Sequence, residues 1–405
     1  MSRTAQDQLR DAVLRQAVEL RRYSLGLATR IANLLAAADA ELVAGLTAKL
    51  ARFEGRQAAV NLKGEAWAAI LMEITEARVE TIRRAERTAR SELIQLGVLE
   101  AEGEVGALRE SIPLEVTFVA PSVDQLRAIV SARPFQGRFL RDWFRELEAQ
   151  DAARVKAAIQ LGMVQGEPIP DIVRRIVGTK RNLYADGILS ITRRDATAVV
   201  RTAVNHVSNV ARSYVWDANA DIILARIWTA TLDGRTSAVC RARDGHGVPV
   251  GDNVLPASIP ELKPSGVRPP AHINCRSIMT AILSPEGLIG NRPFVLDTRT
   301  PDKRRIDFRE EAKRTGRTEK AVRDQWTAEN IGRLPAATTY GEFLGRQSAA
   351  FQDEVLGPTR GKLFRTGKIE LSEFVDRRGS ELTLEQLAQR RPDVFRAAGL
   401  PAPGG

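Results

Sequence analysis

The chain has 405 residues, 43% of them apolar, with 60 Lys and Arg against 50 Asp and Glu and a formal charge of +10. That length allows two or three domains with at least one sizeable core, and two cysteines exclude a disulfide framework. The basic excess favours an anionic partner. No segment approaches the ~20 uncharged apolar residues that span a bilayer, and the opening "MSRTAQDQLRDAV" has no apolar signal region. The expectation is a soluble, non-exported protein with no membrane partner, and nucleic acid as the anion.

The first hundred residues read as helix. Leu9, Val13, Leu20, Leu27, Ile31 and Leu34 recur at helical steps, and Leu42, Val43, Leu46 and Leu50 continue the stripe. "EITEARVETIRRAERTARSELIQLGV" is a second, charged amphipathic helix. Such helices bundle or dock on a partner, and bundling is preferred. "IPLEVTFVAPS" breaks the pattern near 112–122 with a strand-like alternation of Leu114, Val116 and Phe118. Helix resumes in "DQLRAIV" and "RFLRDWFRELEAQDAARVKAAIQLGMVQG", where Gly166 and Pro168 form a stop. "IPDIVRRIVG" is a short helix.

"TRRDATAVVRTAVNHVSNVARSYVWDAN" predicts a long helix capped by Thr192, with Asp195 three residues on. Val200, Val204, Val207, Ala211 and Tyr214 form its buried stripe. Arg201, Asn205, Ser208 and Arg212 form a polar stripe on another face, with His206 beside it as a packed or solvated side chain. "DIILARIWTATLDG" then alternates as a strand, ending in a turn at Asp233-Gly234. "TSAVCRARDG" is a short helix or turn capped by Thr236 or Ser237. Six prolines between Pro249 and Pro270 preclude a regular ladder, and "CRSIMTAILS" returns as a strand.

Both cysteines and two of the three histidines bracket this proline-rich loop: Cys240 and His246 at the entry, His272 and Cys275 at the exit. Thiolate and imidazole are the ligands zinc prefers, in tetrahedral sets of four. Cys240, His272 and Cys275 supply three, with His246 or Asp233 as the fourth, or a water. A Cys240–Cys275 disulfide would close the same loop, and two unconnected thiols are a further alternative; zinc is the preferred reading. Asp233 and Asp244 are read as turn-fixing residues rather than a catalytic pair. No phosphate-binding loop, nucleophile elbow or HExxH pattern occurs.

From Arg299 to Arg323 ten basic residues face five acidic ones, a local excess of five. Lys303, Arg304, Arg305, Lys313, Arg314 and Arg317 are the candidate contacts to phosphates, without base reading. The remainder, around "VLGPTRGKLFRTGKIELSEFVD", reads as a small closing module ending in a frayed "PAPGG".

The runs "RTAVNHVSNVAR", "WTATLDGRTSAVCRARDG" and "PPAHINCRS" resemble the Mu F-like head morphogenesis domain of tailed phages. The family's recurring polar positions fall here on Arg201, Asp233, Arg235, Thr236, Cys240, Asp244, His272, Cys275 and Arg276; His246 is not among them. The resemblance implies a non-enzymatic minor capsid protein. Such a protein associates with the portal and with major capsid or scaffold protein, enters the procapsid, contacts non-specific double-stranded DNA, and resides in the virion after assembly in the host cytoplasm. The alternative is a Mu F-domain enzyme or toxin of ADP-ribosyltransferase or nuclease type. The fold expected is mostly helical α+β. It comprises a helical docking region over 1–150, the Mu F-like domain with its long proline-rich loop over 151–290, a basic linker or helix over 291–330 and a small module over 331–405.

Overall fold

The computed structural model describes residues 5–50, 65–112, 117–182, 184–264, 266–283, 291–297, 299–367 and 369–401. Two helices of more than 45 residues, α1 (Ala5–Leu50) and α2 (Glu65–Ser111), lie against each other and against the long central helix. Between them and that helix come α3 (Val123–Ala132), α4 (Leu140–Val164) and α5 (Ile169–Val177). Ser122 and Gln125 cap α3 reciprocally. Pro170 opens α5 and Gly178, at φ 94°, closes it. The strand-like alternation does not survive: residues 117–122 carry no strand, Phe118 is buried as a core residue, and Leu114 and Val116 lie outside the described residues.

The central helix α6 spans Ile188–Ala218 with Gly187 as its N-cap, five residues before the expected cap. Thr192 is therefore not a cap. It is fully buried inside the helix, and its hydroxyl bonds to Asp151. Leu9, Leu20, Leu27, Ile31 and Leu35 of α1 share one core with Leu93 of α2, Phe144 of α4, Val204 and Val207 of α6, and Cys240 and Cys275. Bundling is thus the fate of the N-terminal helices, and their bundle is continuous with the domain that follows. Val13, Val43, Leu46 and Leu50 have side chains outside the described set.

The expected strand from 221 to 234 is two strands in two sheets. β1 (Ala225–Thr229) is the centre of an antiparallel sheet, between β3 (Gly247–Pro249) and β4 (Ile278–Ile282). β2 (Leu232–Asp233) pairs in parallel with β5 (Asn291–Val295), which pairs antiparallel with β6 (Ile331–Pro335). The alternation in β1 does not separate core from solvent, because both sheet faces are covered. Trp228 and Met279 face the helical core, while Ala225, Ile227 and Ile282 pack with Leu255 and Ile259 of the proline-rich loop.

The short helix α7 (Ala238–Arg243) joins the two sheets. The basic segment is a helical hairpin, α8 (Pro301–Thr315) and α9 (Glu319–Asn330), inserted between β5 and β6. Five further helices close the chain: α10 (Tyr340–Gly345), α11 (Ala349–Leu356), α12 (Pro358–Gly367), α13 (Leu384–Arg390) and α14 (Pro392–Ala397). They enclose a second core of Tyr340, Phe343, Leu363, Phe374, Leu387 and Phe395.

Four helices meet at one buried ionic knot. Arg78 of α2 donates to Asp39 of α1 and to Asp151 of α4, at 2.8 Å, while Arg193 of α6 donates to Asp39. Arg78 and Asp151 are almost fully buried. Removing one partner of such a set strands a charge in a dry interior. Arg78→Ala should therefore destabilise the protein by about 3–5 kcal/mol, visible as an earlier midpoint in urea unfolding. A loss under 1 kcal/mol would mean that water reaches the knot.

Candidate metal centre

Helix α6 is buried along its second half, and its polar side chains reach outward into neighbouring backbone. Thr202 Oγ1 accepts from the amide of Asn274 at 2.9 Å, Asn205 Nδ2 donates to the Ser277 carbonyl at 2.9 Å, and Asn209 Oδ1 accepts from the Met279 amide at 2.8 Å. These three bonds position the segment from His272 to β4. Asn274 sits at φ 60°, in the left-handed region that asparagine tolerates, and the Cys275 amide closes the turn on the His272 carbonyl at 3.1 Å. His272 and Cys275 are thereby turned towards Cys240 on α7.

The Cys240 Sγ lies 3.7 Å from Cys275 Sγ and 3.3 Å from His272 Nε2, and the three donor atoms all fall within 4.8 Å of one another. Both cysteines are buried and free, and His272 is half-buried. A tetrahedral zinc with Zn–S of ~2.3 Å and Zn–N of ~2.0 Å would place its sulfurs about 3.8 Å apart and sulfur and nitrogen about 3.5 Å apart. The observed edges match those lengths. The His272 Nδ1 lies 2.8 Å from the Ile273 carbonyl. With the proton on Nδ1, Nε2 presents its lone pair to the sulfurs, the arrangement usual for metal-bound imidazoles. The hydrogen bond from Cys240 lowers the Cys275 thiol to about 4, against burial and with help from His272. The same bond and burial push Cys240 up. A Cys275 thiol held below its usual range is the direction that thiolate ligation requires.

The fourth position is not filled by either expected residue. His246 is outside the cluster: its carbonyl is tied to the Trp228 amide at 2.8 Å along β1, and its Nδ1 lies 3.3 Å from the Asp244 carbonyl. Asp233 is also outside, because its carboxylate is committed elsewhere. It accepts from both Arg276 guanidinium nitrogens, one at 2.8 Å, from the Arg235 amide at 3.1 Å and from Thr236 Oγ1 at 3.1 Å. Among the described residues the set thus offers three protein ligands.

The remaining motif residues form the joint between the two cores. Asp244, almost fully buried, accepts from the Ala230 amide at 2.7 Å, the Tyr340 amide at 2.6 Å and both Arg292 guanidinium nitrogens, at 2.9 and 3.1 Å. Arg292 also donates to the Thr338 carbonyl at 2.9 Å, and the Tyr340 hydroxyl donates to the Asp233 carbonyl at 2.7 Å. Sequence reasoning places Asp233 and Asp244 as turn residues, and they are. It misses Arg292 and Tyr340, which lie 48 and 96 positions from Asp244 and carry no local signal. The C-terminal module closes over α7 at Gly379, where φ is 88° and any Cβ would come within 2.3 Å of Val239.

Residues 153–280 match the protein family described as phage Mu protein F like protein. The chain carries a phage Mu F-like domain. No curated protein and no solved structure matches the chain. The matched span of the Mu F-like domain runs from within α4 to β4 and contains all three clustered ligands, Asp233 and Asp244. α1 and α2 lie before it, and Arg292 and Tyr340 after it.

The candidate nucleic-acid residues all lie on the α8–α9 hairpin. Lys303, Arg305, Lys313, Arg314 and Arg317 are exposed, while Arg304 stacks over Trp326 at 4.7 Å. Part of this charge is neutralised locally: Arg314 pairs with Glu311 at 2.7 Å and Arg305 lies 3.6 Å from Asp302, whereas Arg317 donates to the uncharged Gln325.

Asp244→Asn should strand the Arg292 charge and one amide. The expected loss is about 3 kcal/mol, with new trypsin cleavage between residues 331 and 346 as the C-terminal module detaches. Unchanged proteolysis would show that the second core holds the module by itself.

Proposed function

We propose that the protein is a minor capsid protein of a tailed phage. It associates with the portal, enters the procapsid, lies in the capsid interior or at the portal vertex, and contacts packaged DNA without reading its sequence. The observation that carries this reading is the Mu F-like match over residues 153–280, the family whose resemblance implies head morphogenesis. The long N-terminal helices supply an extended surface for the portal and for major capsid or scaffold protein. No helix among the described residues is long and apolar enough to cross a membrane.

In this reading Cys240, His272 and Cys275 hold a structural zinc. The fit rests on soft donors at tetrahedral spacing and on the Nδ1–carbonyl contact that leaves Nε2 free. The metal would clamp α7 to the entry of β4, across the foot of the proline-rich loop. The loop has its own supports as well: Ile259 is buried, the Gly247 amide donates to Pro260 at 2.9 Å and the Leu262 amide to Gly247 at 2.7 Å. Loss of the metal should therefore loosen the clamp more than unravel the loop.

Elemental analysis of the purified protein should find about one zinc per chain, falling to near zero in Cys275→Ser. Particles made with that variant should assemble poorly. Normal heads combined with loss of a hydrolytic or transfer reaction would favour the enzyme or toxin reading instead. Co-purification with portal protein from infected cells tests the virion role directly, and failure to find the chain in purified particles would overturn it.

DNA binding should weaken steeply with salt. Replacing Lys303, Lys313 and Arg317 together by Gln should reduce the slope of log K against log salt by about 2–3, if each meets one phosphate. An unchanged slope would remove the hairpin from the DNA surface.

A further inference from the structure

One open cavity of about 410 Å³ lies between the α3–α4 connection, α6 and the far end of the proline-rich loop, lined in part by Arg133, Phe135, His206, Arg268, Pro269 and Pro270. None of these residues is a ligand of the cysteine–histidine cluster, and none lies on the basic hairpin. His206 is only 8% exposed, and its Nε2 has no hydrogen-bond partner among the described residues. A buried imidazole nitrogen left unpaired is costly and calls for a partner the polypeptide does not supply. Its ring leans on Phe135, with centroids 5.5 Å apart. Burial, reinforced by Arg133, lowers its pKa to about 4, so at neutral pH it can donate one hydrogen bond without adding charge.

The two arginines are equally unspent. Arg133 stacks over Tyr214 at 5.0 Å and has no carboxylate partner among the described residues. Arg268, half-buried, is repelled by Arg226 and Arg133. The nearby carboxylate, Asp217, pairs with Arg226 at 2.8 Å. The carboxylate that acts on Arg268 is thus already paired with Arg226. Two guanidinium forks and a neutral imidazole around a cavity suit a multiply charged oxyanion. The Phe135 and proline walls suit an organic group attached to it, and the volume falls in the range of small-molecule sites.

We propose that this cavity binds the phosphate group of a nucleotide-sized phosphate ester, held by Arg133, Arg268 and His206. The inference does not depend on a virion role. The ester can be a free nucleotide or a phosphate of a nucleic-acid strand.

Isothermal titration of the full chain with inorganic phosphate and with adenosine 5′-monophosphate tests it. Both should bind, the nucleotide more tightly, and Arg133→Gln and Arg268→Gln should each weaken binding at least about ten-fold, the cost of one charged hydrogen bond. Lys313→Gln, on the basic hairpin, should leave the affinities for inorganic phosphate and adenosine 5′-monophosphate within about two-fold while still weakening DNA binding, which separates this site from the DNA surface proposed above. His206→Leu should weaken phosphate binding with an unchanged or higher Tm. Unchanged affinity with a lower Tm would mean that the ring only fills space, and would overturn the assignment. A single-stranded oligonucleotide that binds only with a 5′-phosphate assigns the site to terminal or free nucleotides, whereas equal binding with a 5′-hydroxyl assigns it to backbone phosphates. Absence of phosphate and nucleotide binding, equal binding in both arginine variants with preserved fold, or tighter binding of acetate than of phosphate would each refute the proposal.

Discussion

A helix buried on nearly every side has nowhere to put polar side chains except into its neighbours, and that constraint on α6 organises this protein. Between Val199 and Trp216 every residue but Arg201 and Tyr214 is buried. Each buried polar group must find a partner or cost free energy. Ser208 donates to Glu100 at 2.6 Å, and Arg212 and Trp216 donate to the two oxygens of Glu104 at 2.7 and 2.6 Å, which fixes α2 along one side. Thr202, Asn205 and Asn209 fix the approach to β4 along another. One helix therefore registers the N-terminal bundle and the chelating turn at once.

Ionic knots do the same work farther out. Arg78 with Asp39 and Asp151, Arg212 with Glu104, and Arg292 with Asp244 each join segments distant in sequence, and each is almost fully buried. Such pairs gain little over an apolar substitute, because desolvation offsets their attraction. Their geometric demand is strict, however, and a slipped helix would strand a charge. This gives long, nearly featureless helices such as α1 and α2 a defined register that alanine-rich packing alone would not impose.

The cluster of Cys240, His272 and Cys275 occupies the point where these constraints converge. α7 carries Cys240 between the two sheets, the α6 side chains hold His272 and Cys275 opposite it, and the C-terminal module covers α7 from outside. Asp233 and Asp244 flank α7 and bind the second core to the first through Arg276, Arg292 and Tyr340. The cluster therefore sits where the matched span meets the module beyond its boundary, and the bonds of Asp233 and Asp244 tie the two together.

Local pattern alone disclosed the mostly helical α+β class, the helical stripes of α1 and α6, the turn at Asp233 and the grouping of Cys240, His272 and Cys275. Apolar spacing, turn chemistry and ligand type are properties of neighbouring residues, so they can be read along the chain. The tertiary structure decided what those patterns touch. Thr192 looks like a cap because Asp195 follows it, yet the helix starts earlier and its hydroxyl meets Asp151. Asn205, Ser208 and Arg212 read along the chain only as a polar stripe, yet α2 and the approach to β4 bury them. His246 has the right element for a ligand, but pairing along β1 holds it outside the cluster. The deciding partner lies from 18 residues away, for His246 and Trp228, to 108, for Ser208 and Glu100, and contact with that partner, rather than any local preference, determines what the side chain does.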